Sequence, residues 1–192
     1  VAPLDEAGDQ VTGAGKTLSC DLIAVAGGWS PVVHLSCHTG SRPVWNDDVA
    51  GFVPGPSIQN QHLAGAVVGD YRLSQALNAG AQVGATASGA ASSEVFDCGD
   101  ESEGAAQALY LVPHTKPISR APKQFVDFQN DVTAAGIELA AREGFQSIEH
   151  VKRYTAMGFG TDQGKTGNIN GMAIVAKTLN KSIAETGTTI FR

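Results

Sequence analysis

Two short runs in this sequence have residues that could cradle a phosphate. Gly13-Ala14-Gly15-Lys16-Thr17 and Gly164-Lys165-Thr166 both end like a nucleotide-binding loop. Such a loop needs another glycine five positions before the Gly that precedes Lys, and those positions hold Gln10 and Phe159. Neither run is a phosphate loop. The first glycine pair does not complete a G-x-G-x-x-G dinucleotide fingerprint either, because position 18 is Leu. The three cysteines, Cys20, Cys37 and Cys98, form no C-x-x-C pair, which excludes thiol–disulfide exchange. Of the five histidines, His34 and His38 are four apart with Cys37 between them, a spacing that could bind zinc only weakly without a further ligand. No Ser–His–Asp arrangement follows from spacing, and no catalytic residue is expected in this chain.

The elements that would position these groups are read from periodicity. Asp21-Leu22-Ile23-Ala24-Val25-Ala26, ending in Gly27-Gly28, is a continuous β-rich run that predicts a central strand of a parallel sheet. Turn residues at 13–16 predict a hairpin before it, and residues 37–60 read as loop. A second short strand is expected at His62-Leu63-Ala64-Gly65-Ala66, then a helix from about Tyr71 to Ala87, with Asp70 as its cap. Ala76, Gly80 and Gly84 fall on one stripe of that helix. Glycine in a helix costs about 1 kcal/mol relative to alanine, so close approach by a strand or cofactor is expected there, with plain helix-on-sheet packing as the alternative. Residues 89–123 read as a linker with one strand-like island at Ala108–Val112. Three short helices follow. Thr133 caps one that carries Ile137, Ala140 and Ala141 to Gly144. Ser147 caps one that carries Ile148, Val151 and Tyr154 or Thr155 to Gly158. The third starts near Asn168, with Met172, Val175, Ala176 and Leu179 inward.

Composition sets the outer bounds. The chain has 192 residues, 42% of them hydrophobic, and 23 glycines, which excludes a disordered or fibrous protein. The longest apolar run, Leu22 to Trp29, is far short of the roughly twenty residues of a membrane span, and no membrane association is expected. Residues 1–110 carry three basic against twelve acidic side chains, whereas 111–192 carry ten against seven. An acidic front half disfavours nucleic acid, and the change of sign near residue 110 suggests two modules. An odd cysteine count without a secretion signal predicts reduced thiols and a cytoplasmic protein. A chain beginning at Val1 is read as an internal fragment or a processed product.

The residues also carry a family likeness. Asp21 to Pro31 is similar to the strand-and-glycine motif near the end of two-dinucleotide FAD/NAD-binding folds, and His62-Leu63-Ala64-Gly65-Ala66 with its Gly-rich helix is similar to their final motif. Ala66 stands where that motif usually has an acidic residue. Phe125-Val126-Asp127-Phe128-Gln129-Asn130-Asp131-Val132-Thr133 and Glu143 to Thr155, continuing into Gly158-Phe159-Gly160-Thr161-Asp162-Gln163-Gly164-Lys165-Thr166, resemble the small [2Fe–2S]-binding module of amine-oxidising flavoenzymes. The four ligand positions of that module read Asp127, Gln129, Asp162 and Gly167. A cluster needs thiolates, so no iron–sulfur cluster is expected. This cluster-free form resembles the alpha subunits of heterotetrameric sarcosine oxidases, from about residue 18 to Arg192.

The resemblance implies an α/β chain. Residues 1–110 would be the C-terminal portion of a Rossmann-like NAD-binding domain with linker, and 111–192 a small, mainly helical, BFD-like (ferredoxin-like) module. It implies a subunit of a flavin-dependent oxidoreductase acting with beta, gamma and delta subunits. That enzyme oxidises sarcosine to glycine and hydrogen peroxide and passes a one-carbon unit to tetrahydrofolate. NAD would sit in alpha, and FAD and FMN mainly on beta. Gly65, Ala66, Tyr71 and Leu73 would lie against NAD. Lys152, Arg153, Gln163, Gly164 and Lys165 would face FMN, although Lys152 and Arg153 also read as solvated helix charges. Two alternatives stay open: an interaction scaffold that has lost nucleotide binding, and a subunit of a related amine or proline dehydrogenase.

Overall fold

The computed structural model describes residues 1–25, 27–91, 94–99, 101 and 107–187. It divides into two compact units. Among the described residues, one unit runs from 28 to 101 and the other joins those of 1–27 to 107–187. Contact thus groups the first 27 residues with the C-terminal unit. Ala26 and part of the linker read over 89–123 lie outside the described residues.

In the unit of residues 28–101, α1 (His34–His38) is followed by a hairpin of β1 (Val44–Asn46) and β2 (Gly51–Val53). Its register pairs Trp45 with Phe52, and their rings meet edge to face at 5.2 Å between centroids. The Asn46 side chain accepts from the Asp48 N–H at 2.8 Å and closes the turn. This hairpin lies in a stretch read as loop. Residues 65–68, Gly65–Val68, form a 3-10 helix rather than the end of a strand, and α2 runs Leu73–Ser88. That helix buries no residue. Open space lies over Gly80 and Gly84, so the close approach expected on their stripe is absent among the described residues.

The second unit is built on β3 (Phe125–Asp127), β4 (Val132–Thr133), α3 (Ala134–Arg142), α4 (Ile148–Thr155), α5 (Asn168–Leu179) and α6 (Ile183–Thr186). Its core joins Ile137 and Ala140 of α3, Ile148 and Val151 of α4, Met157, and Met172 and Val175 of α5. Met157 apart, these are positions that the helical periodicity marks, whereas Leu179, also expected inward, is only partly buried. Thr133 caps α3 by accepting from the Gly136 N–H at 3.2 Å. Thr133→Ala is expected to cost about 1 kcal/mol, measured by urea unfolding. Ser147 precedes α4 without a capping bond from its side chain, and that helix ends through Ala156 in a left-handed conformation, ahead of Gly158. Tyr154 is half exposed. Its ring lies 4.7 Å from that of Phe145, and its hydroxyl donates to Glu143 at 2.5 Å.

Three expected strands are not formed. Residues 21–25 form no strand, with Leu22 83% and Val25 86% exposed. A strand is held by its neighbour's N–H and C=O groups, and the strands among the described residues pair only as β1–β2 and β3–β4. Residues 108–112 likewise form no strand. There the Val112 N–H and C=O are both taken by the Gln124 side-chain amide, at 2.8 and 2.9 Å. The third is His62–Ala66. No hairpin turns at 13–16; an isolated antiparallel bridge joins Leu4 and Val11 instead, around residues 5–10. Mixed helix with small antiparallel sheets is the architecture observed.

Candidate functional site

In the second unit, three of the four positions aligned with cluster ligands come together. Asp127 is 7% exposed. One of its carboxylate oxygens accepts from the Gln129 N–H at 2.8 Å and the Asn130 N–H at 3.0 Å, the other from the Gly158 N–H at 2.7 Å. Burial alone would raise its pKa, but these hydrogen bonds outweigh burial and hold the carboxyl below its usual range. Gln129 Oε1 accepts from the Thr161 N–H at 2.5 Å and the Thr161 hydroxyl at 2.8 Å. Asp162 accepts from the Gly164 N–H at 3.1 Å, the Thr166 N–H at 3.3 Å and the Thr166 hydroxyl at 2.5 Å. Its carboxyl is also lowered, first by the Thr166 hydroxyl, with a further hydrogen bond from the Gln129 side chain. Oxygen acceptors thus tie the turn after β3 to the loop before α5, and their partners are mostly backbone N–H groups.

The fourth position has closed by packing. At Gly167 an added Cβ would lie well inside 3.0 Å of the Val126 carbonyl oxygen. Beside it Asn168 is 1% exposed, and its amide occupies the space that a Cβ on Gly164 would need. Gly164 has φ +76°, so this turn needs glycine for its backbone and for its neighbour alike. Asn168 was not singled out in the sequence, where it reads only as a helix start. Among the described residues, no group of three or more His, Cys, Asp and Glu side chains is arranged to hold a metal ion.

The residues expected to face a flavin divide. Lys152 lies 5.9 Å from the centroid of the exposed Phe159 ring, which brings it to the 159–166 loop. Gln163 and Lys165 are exposed on that loop, whose backbone Asp162 fixes. Arg153 points elsewhere and pairs with Glu149 at 3.6 Å. An exposed i,i+4 pair of this kind contributes only about 0.3–0.5 kcal/mol, which is the solvated-charge reading of that residue.

In the unit of residues 28–101, Gly65 opens the 3-10 helix beside Ala76 of α2, while Ala66 and Leu73 are exposed. The Tyr71 hydroxyl is buried without a hydrogen-bond partner among the described residues, and burial raises its pKa. The expected Asp70 cap is replaced. Arg72 is the N-cap residue and offers no side-chain bond. The first turn is closed instead by Glu101, which accepts from the Leu73 N–H at 2.8 Å and the Ser74 N–H at 3.1 Å. The Ser74 hydroxyl also donates to it. A phosphate group at this helix end would need those same N–H groups, so the first turn of α2, with Glu101 in place, does not offer them to a phosphate of NAD.

The second unit thus brings three oxygen-bearing side chains and one glycine to the four positions marked by the resemblance. Residues 121–192 match the family model described as the sarcosine oxidase A3 domain. The whole chain is 38% identical over 199 residues to the sarcosine oxidase subunit alpha of Corynebacterium sp. (strain P-1), covering 100% of this chain and 20% of that protein. Over 188 residues it is 37% identical to that of Rhizobium meliloti (strain 1021), covering 94% of this chain and 18% of the relative. The resemblance to sarcosine oxidase alpha subunits therefore holds along the chain, which spans about a fifth of the length of these curated relatives. No helix among the described residues is long and apolar enough to cross a membrane.

Proposed function

We propose that this chain is a segment of the alpha subunit of a sarcosine oxidase. That enzyme oxidatively demethylates sarcosine to glycine, releases hydrogen peroxide and passes the one-carbon unit to tetrahydrofolate. The observation that carries this reading is the 37–38% identity to two bacterial alpha subunits over nearly all of the chain. In this reading the second unit packs near the beta subunit and its FMN. Lys152, Gln163 and Lys165 are the groups free to meet a phosphate or flavin edge, Lys as a point charge. Arg153 is engaged by Glu149, and Gly164 serves the turn rather than the ligand. FAD stays on the beta subunit, with gamma and delta completing the assembly.

The residues 21–31 and 62–73 would complete a dinucleotide-binding sheet in the longer polypeptide, with Gly65 and Ala66 along its NAD. The exposed apolar run Leu22, Ile23 and Val25 supports this, because an unpaired β-rich segment is a template for a neighbouring strand. The intact assembly is expected to produce peroxide and glycine together when given sarcosine and oxygen. Absence of sarcosine-dependent peroxide would overturn the reading. A scaffold without nucleotide is the second reading, favoured by the occupied first turn of α2. NAD recovered on denaturing the full-length alpha subunit would count against it.

A further inference from the structure

We infer that Glu101 is the resident anion of the first turn of α2, so that this turn is closed to phosphate and any dinucleotide is held by other groups. This rests on the NAD-binding reading above and refines it. The first residues of a helix leave N–H groups without intrahelical partners, and their field favours an anion. In α2 the Leu73 and Ser74 N–H groups converge on one carboxylate, 28 and 27 residues away in sequence. The Ala76 N–H is already used by the Arg72 carbonyl at 3.0 Å. Among the described residues, the Gln75 N–H is the first-turn donor with neither a carboxylate nor a backbone acceptor.

The carboxylate is delivered by a second attachment. The Asn78 amide donates to the Phe96 carbonyl at 3.0 Å and accepts from the Phe96 N–H at 2.8 Å. The linker therefore meets α2 at Asn78 and again, five residues on, at Ser74, one turn nearer its start. Fixing both ends of that stretch lowers the entropy cost of holding Glu101 in place. A phosphate brought to the same turn would face Glu101 at close range, where two like charges repel.

The test uses the full-length subunit in its native assembly, as wild type, Glu101→Gln and Glu101→Ala. Three quantities are read: retained NAD, amide exchange at residues 73–75, and protection of those amides by added inorganic pyrophosphate. Glu101→Ala is expected to speed exchange at Leu73 and Ser74 by about tenfold or more, with Glu101→Gln between it and wild type. NAD content should stay within about twofold of wild type, and pyrophosphate should protect neither amide in wild type. Unchanged exchange in Glu101→Ala, tighter NAD retention by about tenfold, or pyrophosphate protection in wild type would each overturn the inference. If wild type carries no NAD, the NAD-binding reading falls. The exchange and pyrophosphate results still decide on Glu101.

Discussion

Asp127→Asn is expected to destabilise the second unit by about 3 kcal/mol, read as a fall in the urea midpoint at unchanged slope. The carboxylate accepts three backbone N–H groups, those of Gln129, Asn130 and Gly158. An amide keeps one acceptor oxygen and turns its NH2 toward at least one of those donors. A buried donor is then left facing a donor, which costs more than the mean hydrogen bond. The same residue sets an acid limit. Its folded pKa lies below the ordinary carboxylate value, so its contribution is fully present above about pH 4 and is lost as pH falls through the lowered folded value. The variant should lack that part of the acid dependence, and melts at pH 7 and pH 3 would show it. Equal stability of the two proteins at pH 7 would show that the three N–H groups find other acceptors.

Gly167→Ala is expected to cost about 3 kcal/mol by overpacking. The obstacle is the Val126 carbonyl oxygen, a backbone atom anchored by β3, which cannot swing aside as the end of a side chain can. A larger consequence follows for cysteine at all four positions. Placing Cys at 127, 129, 162 and 167 together removes the carboxylates that close the loop and forces a Cβ against that carbonyl. Anaerobic reconstitution with iron and sulfide should yield no charge-transfer absorption in the visible, and the protein should lose its cooperative melt. A visible cluster spectrum on a folded protein would show that β3 can retreat.

The helices were legible where burial repeats along the chain. Ile137, Ala140 and Ala141 mark α3, and Met172, Val175 and Ala176 mark α5, because each run faces one core at helical spacing. The strand read at 21–26 was not found, for a reason that local sequence cannot carry. Leu22, Ile23 and Val25 have strand propensity, but a strand exists only beside a partner. The β1–β2 hairpin had a usable signal in Val44-Trp45-Asn46 and Gly51-Phe52-Val53 around Asp47-Asp48, although Pro43, Pro54 and Pro56 made the region read as loop. Positions 127, 129, 162 and 167 were marked by their alignment with cysteine ligands. Their hydrogen bonds were not, because Gln129 meets Thr161 across 32 residues. Glu101 was invisible for the same reason, as an exposed acid in a polar linker has no periodicity to place it against Leu73.

That oxygen rather than sulfur stands at positions 127, 129 and 162 bears on durability. Thiolate ligands are attacked by peroxide and climb from sulfenic to sulfonic acid, the last steps irreversibly. Carboxylate and amide oxygens have no such chemistry. Within residues 121–192 the sulfur atoms are those of Met157 and Met172, exposed by 0% and 1% in the core. In the reading proposed above, this module stands beside a source of hydrogen peroxide and offers it no thiolate to oxidise at positions 127, 129, 162 and 167.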